Sequence, residues 1–237
     1  MQNNKRLIPG YDGSRHAPSS KIASNVKKLG HKKEHIFAER YGGEVVKGVQ
    51  KPDVIKGSER ISVKGAKKNI QLLLLRLPRC VKIYGMDSLL YGFQFAGKKH
   101  RDFKFKNNNQ IDPDLFNTWK NAAHVLADWL RCKDNFRMVI EKVFSDDYDA
   151  NKLAILKDVD QDAFLYEMKD VCDLYVESYF QVRVTDNAKI VVSVDKREIF
   201  YLEIRGGKDH CGSMNHGVRS PQLYDFLEAN LEYKIIP

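Results

Sequence analysis

The stretch Lys51–Lys68, KPDVIKGSERISVKGAKK, places a Pro-Asp pair on one short β-prone run and a Ser-Val-Lys on the next. The turn Lys56-Gly57-Ser58-Glu59 joins the two. Along a strand, residues i and i+2 share a face, so Ser62 and Lys64 point the same way, and an antiparallel partner brings Asp53 beside them. A carboxylate and an amine then converge. Such a pair suits phosphodiester hydrolysis: carboxylate oxygens hold Mg²⁺, and the metal with a nearby ammonium orients and acidifies a water. The same residues also fit a plain β-hairpin in which Asp53 caps a turn and Lys64 is solvated.

Upstream, Ile22, Val26, Leu29, Phe37 and Tyr41 recur at helical intervals, which predicts an amphipathic helix broken at Gly30 and ended by Gly42-Gly43. Short strands follow over 44–47, 53–55 and 60–64. The apolar block 69–77, NIQLLLLRL, fits a buried strand or a helix equally. A polar connector over 97–110 leads to Asp112-Pro113, a helix start before an amphipathic stretch over 119–130. Helical spacing also runs over 135–144 and 163–180, although 175–180 fits extended chain as well. Strands are predicted over 190–194 and 199–205 around the turn Asp195-Lys196-Arg197, then a glycine-rich loop and a final helix over 221–231. These signals predict a mixed α/β (α+β) chain forming one domain over 1–237. Its parts are an N-terminal arm over 1–20, a catalytic core over about 22–80, and helical additions, strands and a reading loop over about 97–237.

The 237 residues carry 40 Lys+Arg against 31 Asp+Glu, a net +9 that favours an anionic partner such as nucleic acid or a lipid surface. The longest apolar run, Leu72 to Leu75, falls far short of the roughly 20 residues a bilayer span needs. With no apolar signal segment at the start, an intracellular, cytoplasmic protein with no membrane partner is expected. Cys80, Cys132, Cys172 and Cys211 form no CxxC pair and are expected to be buried free thiols. There is no GxGxxG, P-loop or HExxH.

The order of helix, glycine stop, three short strands with Asp53 and Lys64 on successive strands, then an apolar element, resembles the core of the PD-(D/E)XK nuclease superfamily over about residues 31–77. Many type II restriction endonucleases belong to it. Pro52-Asp53 matches the first motif. Ser62-Val63-Lys64 matches the second with Ser62 in place of the usual acidic residue, so either a single metal suffices or another carboxylate, such as Glu59, compensates. The resemblance implies a restriction-endonuclease-like core of a short mixed sheet flanked by helices. Asp53 and Ser62 would bind Mg²⁺, Lys64 would activate the attacking water, and a glutamate on the preceding helix, Glu34 or else Glu39, would support the site. It further implies a homodimer of prokaryotic or phage-like origin that cuts double-stranded DNA at a short sequence. A structure-selective or repair nuclease, and a basic DNA-binding protein without catalysis, are the alternatives.

Two further stretches suggest DNA contact. RGGKDHCGSMNHGVR, 205–219, reads as a loop whose Arg205, Lys208, Asn215 and Arg219 are candidates for base or phosphate readout. Lys98 to Gln110 alternates Phe and Lys, as in a half-buried strand that offers Arg101 and Lys104 to a backbone, or a merely solvated face. Trp119 and Trp129 are assigned to packing.

Overall fold

In the computed structural model, residues 20–46, 52–65, 69–145, 150–206 and 210–237 are described. Helix α1 (Ser20–Tyr41) passes through Gly30 without a break, because one interior glycine costs only about 1 kcal/mol relative to alanine. Lys33, Phe37 and Tyr41, four residues apart, lie on its buried face. Gly42, at φ 72°, then stops it. A meander follows of β1 (Glu44–Val45), β2 (Val54–Lys56) and β3 (Glu59–Lys64), antiparallel throughout, with the two-residue turn Gly57-Ser58 between the last two. Next come β4 (Asn69–Leu75), α2 (Leu77–Tyr84), α3 (Leu89–Lys106), α4 (Pro113–Leu130), α5 (Lys133–Ser145), β5 (Lys152–Leu156) and β6 (Ala163–Glu167). The chain continues through α6 (Met168–Glu177), β7 (Gln181–Val184), β8 (Ile190–Val194), β9 (Arg197–Ile204), β10 (Met214–Arg219), α7 (Ser220–Asn230) and β11 (Lys234–Ile236).

The strands form two sheets, so the chain is of the mixed α+β class. The first has the order β1-β2-β3-β5-β6-β11, and the β3–β5 pairing is parallel where its neighbours are antiparallel. The second, β4-β10-β9-β8-β7, is antiparallel throughout. Alternation along β3 splits its side chains between two faces. Ile61 and Val63 join Phe37, Ala38, Tyr41 and Val54 in a small core under α1. Ser62 and Lys64 share the other face with their register partners Leu153 and Ile155, which belong to the large core. That core also takes in helical residues such as Leu126 and Phe136 and the inner face of the second sheet, Phe200, Leu202 and Met214 among them.

Several sequence expectations change. The segment 97–110 is mostly the second half of α3 rather than a strand or connector. The Ser88 hydroxyl caps the helix by accepting the Tyr91 N–H, and Leu90, Phe93, Gly97 and His100 set a helical burial period that outweighs the local Phe/Lys alternation. The segment 163–180 divides into β6 and α6. The block 69–75 is a strand, but it lies in the second sheet, while the sheet carrying Asp53 and Lys64 is completed by β5, β6 and β11. The catalytic-core stretch 22–80 therefore does not form a sheet by itself. Of the four free cysteines, Cys80 and Cys172 are buried, whereas Cys132 is exposed. No helix among the described residues is long and apolar enough to cross a membrane.

The largest departure concerns 205–219, whose second half is β10, a strand in the interior of the second sheet. One polar atom of each of Asn215 and His216 finds a tertiary partner, while Asn215 Oδ1 and His216 Nε2 are buried without one. Asn215 Nδ2 donates to Glu203 Oε1 at 3.1 Å, and His216 Nδ1 lies 3.2 Å from the Leu73 carbonyl. Gly217 is required because a Cβ there would lie 2.5 Å from the Tyr201 hydroxyl. A carbonyl can only accept, so His216 presents a proton on Nδ1 to Leu73, and complete burial disfavours a second one. Burial pushes its pKa down to about 4, against a smaller opposing contribution from the Leu73 carbonyl. Above the ordinary value of 6.5 both folded and unfolded chains hold neutral imidazole; between 6.5 and about 4 only the unfolded chain takes up the proton. Stability should therefore fall by about 3 kcal/mol over that window and level off below it. Urea titrations across the window should show this slope in the native protein and a shallower one in His216→Leu; identical slopes would refute the assignment.

Candidate functional site

Asp53 lies at the bend that enters β2, after Pro52, which has no N–H to donate to the ladder. Its backbone N–H donates to the Ile61 carbonyl at 2.9 Å and its carbonyl accepts from Val46 at 3.1 Å, so the meander holds it from both sides. Its carboxylate Oδ2 accepts the Val63 N–H at 2.7 Å and stands 3.7 Å from Lys64 Nζ. The side chains of Asp53 and Lys64 keep 16% and 17% of their surface in contact with solvent, enough for a ligand to reach them. Ser62, two residues before Lys64 on the same face, is only 3% exposed. Asp53, Ser62 and Lys64 thus come together as the alternation predicts.

The supporting glutamates are placed less directly. Glu34 is half-buried on α1 and pairs with His31 Nδ1 at 3.2 Å, while Glu39 is exposed. Next to Glu34, Lys33 is buried and donates to the carbonyls of Leu156 at 2.9 Å and Lys157 at 2.8 Å, which fastens α1 to the end of β5. Gly65, directly after Lys64, fits into the same spot. A Cβ on it would sit 1.9 Å from the Leu156 oxygen and 2.9 Å from Lys33 Nζ. Lys33 is a residue the sequence reading missed. The signal was present, since it precedes Phe37 and Tyr41 by four and eight residues on the apolar face.

Glu59 does not compensate for Ser62. It begins β3, five residues from Lys64 and on the opposite face, where it accepts from the Tyr41 hydroxyl at 2.7 Å and pairs with Lys152 at 3.3 Å. Burial would raise the Glu59 carboxyl, but the hydrogen bonds from Tyr41 and Lys152 outweigh it and hold the pKa below its ordinary value. Burial, reinforced by that same bond, pushes the Tyr41 phenol up to about 12.

Among the described residues no three His, Cys, Asp or Glu side chains gather as a metal site. The donors at Asp53 amount to one carboxylate, with Oδ2 engaged by Val63, and the Ser62 hydroxyl. This is an open half-site rather than a cage. It fits Mg²⁺, which is commonly held by one or two carboxylates and completes its shell with water and substrate phosphate.

The predicted DNA-reading set comes together only in part: Arg205 and Asn215 both contact Glu203, and a Cβ on Gly206 would lie 3.3 Å from Arg101 Nη1. Asn215 is fully buried inside the second sheet and cannot reach a base edge. Arg219 is exposed at the end of β10 and donates to Glu198 at 2.9 Å, and Arg205 pairs with Glu203 at 3.4 Å. Lys208 lies outside the described residues. Arg101 stacks over Trp119 with its guanidinium 5.0 Å from the ring, and Lys104 is partly buried on the same helix. The physical reason is the strand β10, which turns half of the presumed loop into sheet interior. No family model matches the sequence, and a search of curated proteins finds no similar chain.

The close packing beside Lys64 gives a direct test. Gly65→Ala should destabilise the protein by about 3 kcal/mol, because backbone rather than a mobile side-chain tip blocks the methyl group. Gly30→Ala, where nothing lies within 4 Å, should stabilise it by about 1 kcal/mol. Equal urea midpoints for the two variants would contradict this account of the site.

Proposed function

We propose that the chain is a Mg²⁺-dependent endonuclease of the PD-(D/E)XK kind acting on double-stranded DNA at a short sequence. The observation that carries this reading is the approach of Asp53 Oδ2, at the entry to β2, to Lys64 Nζ at the end of β3, 3.7 Å apart. The parallel β3–β5 pairing, which makes the sheet mixed, the helix α1 packed on it, and the net charge of +9 are consistent with it.

In this reading the Val63 N–H pins one carboxylate oxygen of Asp53 and leaves the other to hold Mg²⁺ with Ser62 beside it. Bound there, the metal would supply Lewis-acid stabilisation of charge on the phosphate. Lys64 exchanges its contact with Asp53 for the incoming phosphate or water, and so orients the nucleophile and offsets negative charge as it develops. Glu34 supports the site from α1. Cutting both strands of a duplex takes two copies of this centre, which is the role of a homodimer. With Asn215 withdrawn into the second sheet, sequence reading falls to other surfaces.

One observation favours the second reading, a basic DNA-binding protein without catalysis: the site offers a single carboxylate with serine at the usual acidic position. Incubation with plasmid and phage DNA separates the readings. A nuclease yields Mg²⁺-dependent fragments, abolished by chelator and reduced at least about 100-fold in Lys64→Ala. Discrete bands mark sequence recognition, whereas a smear or junction-limited cutting marks a structure-selective enzyme. Retarded but uncut DNA with Mg²⁺ present would eliminate catalysis and leave the binding protein.

A further inference from the structure

A cleft of about 630 Å³ opens where α4 ends and β7, β8 and β9 meet, lined by neither Asp53 nor Lys64. Its size falls in the range of pockets that hold small molecules, roughly 300–1,000 Å³. Val182 and Ser193 in its lining are buried, and Phe180 packs against Phe136 with ring centroids 4.6 Å apart. The rest of its wall is chemically specific. Arg131, Arg183 and Lys196 contribute three cations against one carboxylate, Glu198. That carboxylate is shared by two guanidiniums, Arg183 at 2.7 Å and Arg219 at 2.9 Å. Arg131 pairs with Asp128 and reaches the Val182 carbonyl at 3.4 Å. Lys196 has no ion partner among the described residues, and the tight β8–β9 turn holds it in place. Val194 pairs with Arg197, and Asp195 and Lys196 occupy the two turn positions at φ 47° and 66°.

Beside these cations stands Tyr179, 80% exposed, the most exposed of the large hydrophobic side chains among the described residues. An aromatic face open to solvent next to Lys196, a cation with no ion partner among the described residues, is a combination that binds a base and its phosphate, by stacking and by charge.

We propose that this cleft binds a nucleoside phosphate, with the phosphoryl group on Lys196 and Arg183 and the base against Tyr179. The ligand is either a free nucleotide or the terminal nucleotide of a strand. The site is separate from the Asp53–Lys64 pair and does not depend on the nuclease reading, so Lys64→Ala should leave it intact.

Calorimetric titration with adenosine 5′-monophosphate, adenosine and inorganic phosphate tests it on the full chain. The nucleotide should bind at least about tenfold tighter than either fragment, since stacking and charge act together. Tyr179→Ala should weaken it about tenfold. Lys196→Gln should weaken it and lower the salt dependence of binding by about one ion. Both side chains lie on the surface, and unchanged circular dichroism confirms that the variants fold. A 5′-phosphorylated oligonucleotide that binds about tenfold tighter than the mononucleotide identifies a strand end as the source, and equal affinities identify the free nucleotide; either result supports the proposal. It is overturned if the nucleotide binds no tighter than inorganic phosphate, if Tyr179→Ala binds as the native protein does, or if an acidic peptide binds while the nucleotide does not.

Discussion

The parallel pairing of β3 with β5 is the constraint on which the rest of the architecture depends. Antiparallel neighbours can be joined by a two-residue turn, but a parallel pair needs a long crossover. Here the crossover spans residues 65–151 and contains β4 and the four helices α2 to α5. Closing it makes β3 an inner strand, with β2 on one side and β5 on the other. It also places the ends of β3 and β5 side by side, so that Lys33 can reach the Leu156 and Lys157 carbonyls. The strand that bears Ser62 and Lys64 is thereby held by hydrogen bonds on both edges and by a core on each face. Its side chains inherit that rigidity.

The protein handles its internal cations in three ways. Lys33 is buried and donates to the Leu156 and Lys157 backbone carbonyls, which spends its ammonium on fastening α1 to β5. Lys189 lies over the Tyr201 ring at 3.9 Å, and burial there lowers its pKa despite the nearby Glu198 and Glu203. Lys64, by contrast, faces a carboxylate and remains partly open to solvent. Its ammonium faces the Asp53 carboxylate across 3.7 Å on a surface that a ligand can reach. That difference, rather than the presence of a lysine on a strand, distinguishes a candidate catalytic amine from a structural one.

What the sequence made legible was local. The Asp53, Ser62 and Lys64 juxtaposition follows from period-two alternation and a four-residue turn, all within twelve residues, and the structure brings these three together. The glycine stop after Tyr41 and the helix start at Asp112-Pro113 are local as well. What escaped depended on distant partners. Strand β10 reads as a loop because Asn215, His216 and Gly217 are poor strand formers, and they become acceptable only through Glu203, Leu73 and Tyr201, residues 12, 143 and 16 positions away. The Phe/Lys alternation near 103 is compatible with either period, and the cap at Ser88 that decides for helix lies well upstream. Glu59 was placed near the site by sequence distance alone, and strand alternation put it on the other face.

The cysteines distribute chemical reactivity unevenly over this molecule. Burial pushes the Cys80 and Cys172 thiols up to about 12, and burial together with Asp102 raises Cys211. The thiolate is the species that reacts with alkylating reagents and oxidants, so these three are shielded. Cys132 is exposed, and it directly follows Arg131, which lines the cleft beside Tyr179. A thiol-specific fluorophore or spin label added to the native chain would therefore attach next to that cleft, giving the molecule a built-in reporter without any engineered residue.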